Sequence, residues 1–403
     1  MKQLTWNREV AVERIRTQVW RYLTAACRQQ DEYVLAAADL LQMRAHDVRR
    51  LAQVQFSVSP AVGRLLDEMP RLVRQLATTT IDDHEVTSGR LRGPVQWGET
   101  HALRRATGIR RTYVTAPAQR AYDTPENRLL AFVLHAIVEQ GHRTGWHAAR
   151  SGESGLRVAA RVGQAGRWLQ QAELADLPRE PPTAKAVALV RRGRNRRKYE
   201  LVLAAYDLHR RYVQQLDRQA VREAVERHAL LASSDAVLLE LRCAFDVASA
   251  LRRAGWDAAP AGLIRTPLLF SGTRRREQLD VHYQSVPRLL REHSHYRDVQ
   301  RLHGLRAGVL RPDLVLEHRT GDGVRWVLIE VKSGRGAPSG LARSTARDLM
   351  MYRHAFERAL APQAGVYGIG YAWGAELTPR VSDGLVLCTP DTLPAALVAA
   401  GVG

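Results

Sequence analysis

The sequence predicts an α/β core over residues 231–403, a mixed sheet flanked by helices. A mostly helical N-terminal region with a small β unit precedes it. Two observations carry this. The last 170 or so residues run helix, four strands, helix, strands. The first 80 place apolar side chains at helical spacing, and a Gly-punctuated, β-rich stretch follows them. Three consecutive blocks are expected: 1–120, helical with the β unit; 121–230, helical; and 231–403, the sheet domain.

Val10 to Leu23 and Tyr33 to Leu51 both carry a helical apolar face. Ser59-Pro60 starts a further helix, because proline is favoured in a first turn. EVTSGRLRGPVQWGET, from Glu85 to Thr100, and RRTYVTAP, from Arg110 to Pro117, form the small strand-containing unit. In TPENRLLAFVLHAIVEQ, Thr124 is the expected N-cap and Pro125 the first helical residue. Leu129, Leu130, Val133, Leu134 and Ile137 make one face of a core helix. Residues 199–230 read as one long helix or two. SSDAVLLELRCAFDVASALRRAGW (233–256) is a helix ending near Gly255. Residues 263–270 and 277–286 read as a hairpin, 341–361 as a helix, and 364–373 and 384–390 as two further strands.

The 403 residues are 45% hydrophobic and 25% charged, as in a soluble globular chain. There is no run of about eighteen apolar residues to span a membrane, and MKQLTWNREV lacks the apolar segment of a secretory signal. Cys27, Cys243 and Cys388 are far apart, which argues against a disulfide framework or zinc site. Buried thiols in a reducing cytoplasm are the expectation. The net charge of +19 suggests a polyanionic partner, nucleic acid first and a membrane surface second; the bland alternative is an Arg- and Ala-rich composition set by a GC-rich genome. Six of the eight residues in RRGRNRRK are basic: Arg191, Arg192, Arg194, Arg196, Arg197 and Lys198. They read either as a phosphate-contacting patch or as a solvated charge cluster.

One hairpin carries ionisable residues where a strand should be apolar. RPDLVLEHRTGDGVRWVLIEVKSGRG holds two strand-like runs joined by the turn TGDG. Asp313 opens the first run. Glu330 and Lys332 share a face of the second, opposite Ile329 and Val331. Folding the hairpin brings Asp313 toward Glu330, beside an ammonium. Two close carboxylates repel unless a cation sits between them. Oxygen ligands with retained waters suit Mg²⁺ or Mn²⁺. Only four of the 60 basic residues are lysines, and one of them is Lys332. Lysine supplies a compact point donor that arginine does not. The alternative is an exposed sheet edge with a Glu330–Lys332 salt bridge. His282, His303 and His354 show no metal-ligand spacing.

Pro312-Asp313 followed by Glu330-Val331-Lys332 resembles the signature of the PD-(D/E)xK nuclease superfamily. That resemblance implies a restriction-endonuclease-like core and a Mg²⁺- or Mn²⁺-dependent nuclease. Asp313, Glu330 and Val331 would hold the metal, and Lys332 would assist the nucleophile. Glu240 matches an additional acid in the preceding helix. Tyr352, four residues after Asp348, matches a supporting tyrosine. TPENR, with weaker support from GRLRGPVQW, resembles the lead-in of McrC-like nucleases of modification-dependent restriction systems. This implies DNA as substrate, a role in bacterial defence or DNA processing, and a separate AAA+-type NTPase partner docked on residues 1–200. No Gly-Lys-Ser/Thr P-loop occurs, since Lys2, Lys185, Lys198 and Lys332 all lack that context. EVKS stands where McrC-like proteins often carry Asp-Ala-Lys. Two other readings stay open: a non-catalytic nucleic-acid-binding component, and an RNA-directed nuclease. Oligomeric state is open too, a homo-oligomer included.

Overall fold

The computed structural model describes residues 6–82, 84–145, 153–261, 268–305, 310–333, 338–373 and 377–403. The chain divides into two compact units. One joins residues 1–49 to 218–403; the other is residues 50–217. The expected blocks were consecutive, and these units are not.

The first unit is built on an eight-stranded mixed sheet. Its strand order is Val381–Ser382, Leu385–Cys388, Gly368–Trp373, Gly323–Ser333, Leu314–Thr320, Glu277–Tyr283, Leu268–Arg274 and Asp257–Pro260. Gly323–Ser333, Gly368–Trp373 and Leu385–Cys388 are parallel neighbours; the other pairs are antiparallel. Parallel neighbours need a crossover, and the Pro338–Ala355 helix supplies the first one. Residues 263–267 of the expected first hairpin lie outside the described residues, as do 334–337.

Alternation along the strands assigns the two faces. Val315, Trp326 and Leu328 bury against Leu349, Tyr352 and Phe356 of the crossover helix and the residue after it. Ile329 and Tyr371 face the other way, and the Tyr371 hydroxyl donates to Asp246 of the Asp235–Arg253 helix at 3.2 Å. Gly370 lets the crossover helix lie close. A Cβ there would stand 2.7 Å from Thr345 Cγ2 and 2.4 Å from Leu387 Cδ2. The Asp235–Arg253 helix is capped by Ser234, whose hydroxyl accepts from Val237 N at 3.3 Å.

The Arg8–Ala26 and Gln30–Leu40 helices belong to this unit. The first packs on Asp235–Arg253, with the Tyr22 ring against Phe245 and Phe270. The expected Tyr33–Leu51 helix is broken: a new helix starts at Ala45. Gln42 lies between, with φ 51°.

The second unit contains the expected helices and small β unit. Thr79–Asp82 pairs with Ala118–Ala121, and Glu85–Thr87 with Tyr113–Thr115. The Pro125–Thr144 helix buries Leu129, Leu130, Val133, Leu134 and Ile137. Thr124 caps it, accepting from Asn127 N at 3.3 Å. Asn127 is fully buried and donates to the Ala77 and Tyr122 carbonyls at 2.8 and 2.7 Å. TPENR therefore works here as a cap and a core tie. Helix Glu200–His209 continues as a π-helical turn to Gln215, and Leu216, at φ 46°, ends it. Residues 199–230 are thus more than one helix.

Candidate active site

Asp313 immediately precedes strand Leu314–Thr320, while Glu330 and Lys332 stand near the end of Gly323–Ser333. The two strands are antiparallel, with Leu314 opposite Ile329. This register brings Asp313 beside Val331, whose backbone N–H donates to Asp313 Oδ2 at 2.8 Å. Lys332 Nζ lies 2.7 Å from Glu330 Oε1 and 2.9 Å from Asp348 Oδ2. The Tyr352 hydroxyl donates to Glu330 Oε2 at 3.0 Å and to the Arg311 carbonyl at 3.2 Å. Asp348 and Tyr352 are one helical turn apart, so one helix face delivers both.

Glu240 points into the same cluster. Its Oε2 accepts from Gln42 Nε2 and Gln284 Nε2, each at 2.6 Å, and lies 3.5 Å from the Tyr283 hydroxyl. Gln284 Nε2 also lies 3.1 Å from Asp313 Oδ1. One amide therefore links two acids from separate elements. The structure brings Asp313, Glu330, Lys332, Glu240, Asp348 and Tyr352 together. An exposed edge with a simple salt bridge is not what forms: Glu330 is 5% exposed, on a strand with a neighbour on each side.

Sequence reasoning did not single out Gln42 or Gln284. Both carry positive φ, 51° and 50°, which costs a side-chain-bearing residue of order 1–3 kcal/mol. Neither lies in a recognisable motif.

The electrostatics are those of a site with surplus negative charge. Burial, then the charges of Glu330 and Glu240, push Asp313 up to about 8, against the opposing Val331 N–H and Lys332. Burial raises Glu240 too, although Gln42 and Gln284 favour its charged form. Burial alone would lower Lys332, but the ion pairs with Glu330 and Asp348 outweigh it and hold the ammonium above its usual range.

Among the described residues, no group of three or more His, Cys, Asp and Glu side chains is placed to hold a metal. A Mg²⁺-type ion needs less: one or two carboxylates, with waters and phosphate oxygens completing the shell. Asp313, Glu330 and the carbonyl of Val331 offer hard oxygen donors only. Crowding by the neighbouring acids keeps the proton on Asp313, and a divalent cation would favour its ionised form. The residues fit such an ion.

The basic run lies in the second unit. Arg191 and Arg192 end the Ala184–Arg192 helix, and Arg194, Arg196, Arg197 and Lys198 lie in the turn after it. All six of these basic residues are exposed. Arg191 pairs with Asp207. His282 bonds Glu317 at 3.1 Å, away from the acids above. Cys27, Cys243 and Cys388 are buried free thiols. No described helix is long and apolar enough to cross a membrane.

No family model matches this chain, and no curated protein matches it. Among solved structures, it is similar to a chain from an assembly of Thermococcus gammatolerans McrB AAA+ hexamers with bound McrC. The identity is 11% and the TM-score 0.25, over 83% of this chain and 61% of the other. This chain thus spans less than two thirds of that neighbour, and so shallow an overlap establishes neither fold nor activity.

Proposed function

We propose that the chain is a metal-dependent endonuclease that hydrolyses phosphodiester bonds in DNA. One observation carries this reading. The hairpin sets Asp313 and Glu330 beside a single ammonium, Lys332, with Asp313 held up to about 8 by burial and the neighbouring acids. Asp313, Glu330 and the Val331 carbonyl would hold Mg²⁺ or Mn²⁺, which supplies polarisation of a phosphate oxygen and of an attacking water.

The chain's own groups do the rest. Lys332 stays cationic and can hold the attacking water or neutralise charge growing on the phosphoryl oxygens. Tyr352 fixes the Glu330 carboxylate, and Asp348 steadies the ammonium. Gln284 and the Val331 N–H fix the two oxygens of Asp313. The sequence resemblance favours DNA over RNA, and a restriction-type role with a separate AAA+ NTPase. Without a P-loop, the purified chain should hydrolyse neither ATP nor GTP.

The test is incubation of the chain with plasmid, modified plasmid and RNA, each with Mg²⁺ or EDTA. Mg²⁺-dependent cutting of either DNA is expected. Cutting of RNA alone would move the substrate class. No cutting of any substrate, alone or with a co-expressed NTPase, would leave a nucleic-acid-binding component.

A further inference from the structure

We propose that the small β unit of residues 85–115 is a binding site for single-stranded nucleic acid, with Trp97 as the platform for an unpaired base. Trp97 opens the Trp97–Thr107 helix and is 56% exposed. One turn on, His101 places its ring 5.9 Å away and tilted by 30°. Tyr113, on the neighbouring strand, stands edge-on to Trp97 at 6.3 Å. The Arg104 guanidinium lies 4.3 Å over the Tyr113 ring. Three rings and a cation thus line one surface.

The platform is fixed from beneath. Thr100 is fully buried, and its hydroxyl accepts from Val114 N at 2.9 Å. Arg104 Nε donates to the Thr112 carbonyl at 2.9 Å. The preceding loop is closed by Gly93, at φ 75°, where a Cβ would meet the Ala116 carbonyl oxygen at 2.6 Å. The helix is therefore tied to its strand while the indole is left to solvent. An exposed indole on a rigid base loses little freedom when a ring stacks on it.

Charge selects the occupant. Across residues 85–115 stand Arg90, Arg92, Arg104, Arg105, Arg110 and Arg111 against two acids, Glu85 and Glu99. Glu99 is already engaged by His84 at 2.9 Å. A partner here must be anionic and must offer flat apolar faces at intervals. Single-stranded nucleic acid offers both; a duplex hides its base faces in its own stack. A protein segment would need a dense acidic surface around an aromatic anchor.

This site does not depend on hydrolysis, so the test reads binding and not cutting. The full chain in EDTA is titrated into a labelled oligothymidylate of about ten nucleotides and into a duplex of equal length, over a salt series. Trp97→Ala should weaken binding of the single strand about tenfold. It should leave duplex affinity and the salt slope unchanged, because the indole neutralises no phosphate. Trp97→Phe should retain most of the affinity, and the oligonucleotide should quench less tryptophan emission in that variant than in the parent chain. An unaltered single-strand affinity in Trp97→Ala overturns the proposal. So does an equal loss on both ligands, or failure of the parent chain to bind the oligonucleotide, which points to a protein partner. A chain that binds in this way but never cuts would defeat the nuclease reading and leave this one standing.

Discussion

The side-chain amide of Gln284 lies 3.1 Å from Oδ1 of Asp313, and the same nitrogen lies 2.6 Å from Glu240. Gln284 makes these bonds from a left-handed backbone conformation that glycine adopts more readily. Gln284→Gly should therefore separate stability from activity. The backbone cost is relieved, so the thermal midpoint should hold or rise. Cleavage should fall about 10–100-fold as the acids lose this support. Wild-type turnover in this variant would remove Gln284 from the site.

Gln42 gives Glu240 its other short amide bond. Gln42→Ala and Glu240→Gln should each slow cleavage, and their effects should not add, since both act through one carboxylate. A double-mutant cycle on kcat/KM measures this. Full additivity would mean that the two residues act separately.

Asp313→Ala, Glu330→Ala and Lys332→Ala should each reduce cleavage to background while circular dichroism stays native. Lys332→Arg should fail as well, because a planar fork replaces a compact donor set between Glu330 and Asp348. Full activity in any of the four contradicts the assignment.

The raised Asp313 has a consequence for stability. Its folded form holds the proton up to about 8, far above the usual 3.8. Between those limits the folded state binds more protons than the unfolded one. Its stabilising contribution is thus full below 3.8 and is lost as pH rises through about 8. Without metal, the thermal midpoint of the wild-type chain should fall relative to Asp313→Asn as pH rises across that window. Mg²⁺ should restore it, and more at the alkaline end, where the carboxylate is free of its proton. Parallel curves for the two chains, with and without Mg²⁺, would count against a cation at Asp313.

Replacing Arg191, Arg192, Arg194, Arg196 and Arg197 together by Gln should weaken DNA binding regardless of base sequence. It should flatten the dependence of log Kd on log salt by about 0.9 for each duplex phosphate that these arginines neutralise. An unchanged slope would make this run solvated surface only.

Local sequence determined much of this protein. The cap and apolar face of Pro125–Thr144 were legible because both depend on neighbours within a turn or two. So was the hairpin with Asp313, Glu330 and Lys332, because a period of two and a short turn decide which side chains share a face. Tyr352 and Asp348 were legible as a one-turn pair. The partners of Glu240 were not. Its amide donors come from Gln42, 198 residues upstream, and Gln284, 44 residues downstream. Only the packing of Arg8–Ala26 and Gln30–Leu40 onto the sheet unit brings Gln42 there, in a unit that skips residues 50–217. Periodicity records which face of an element is buried. It does not record which distant element covers that face, and that choice, made by long-range packing, placed Gln42 and Gln284 on Glu240.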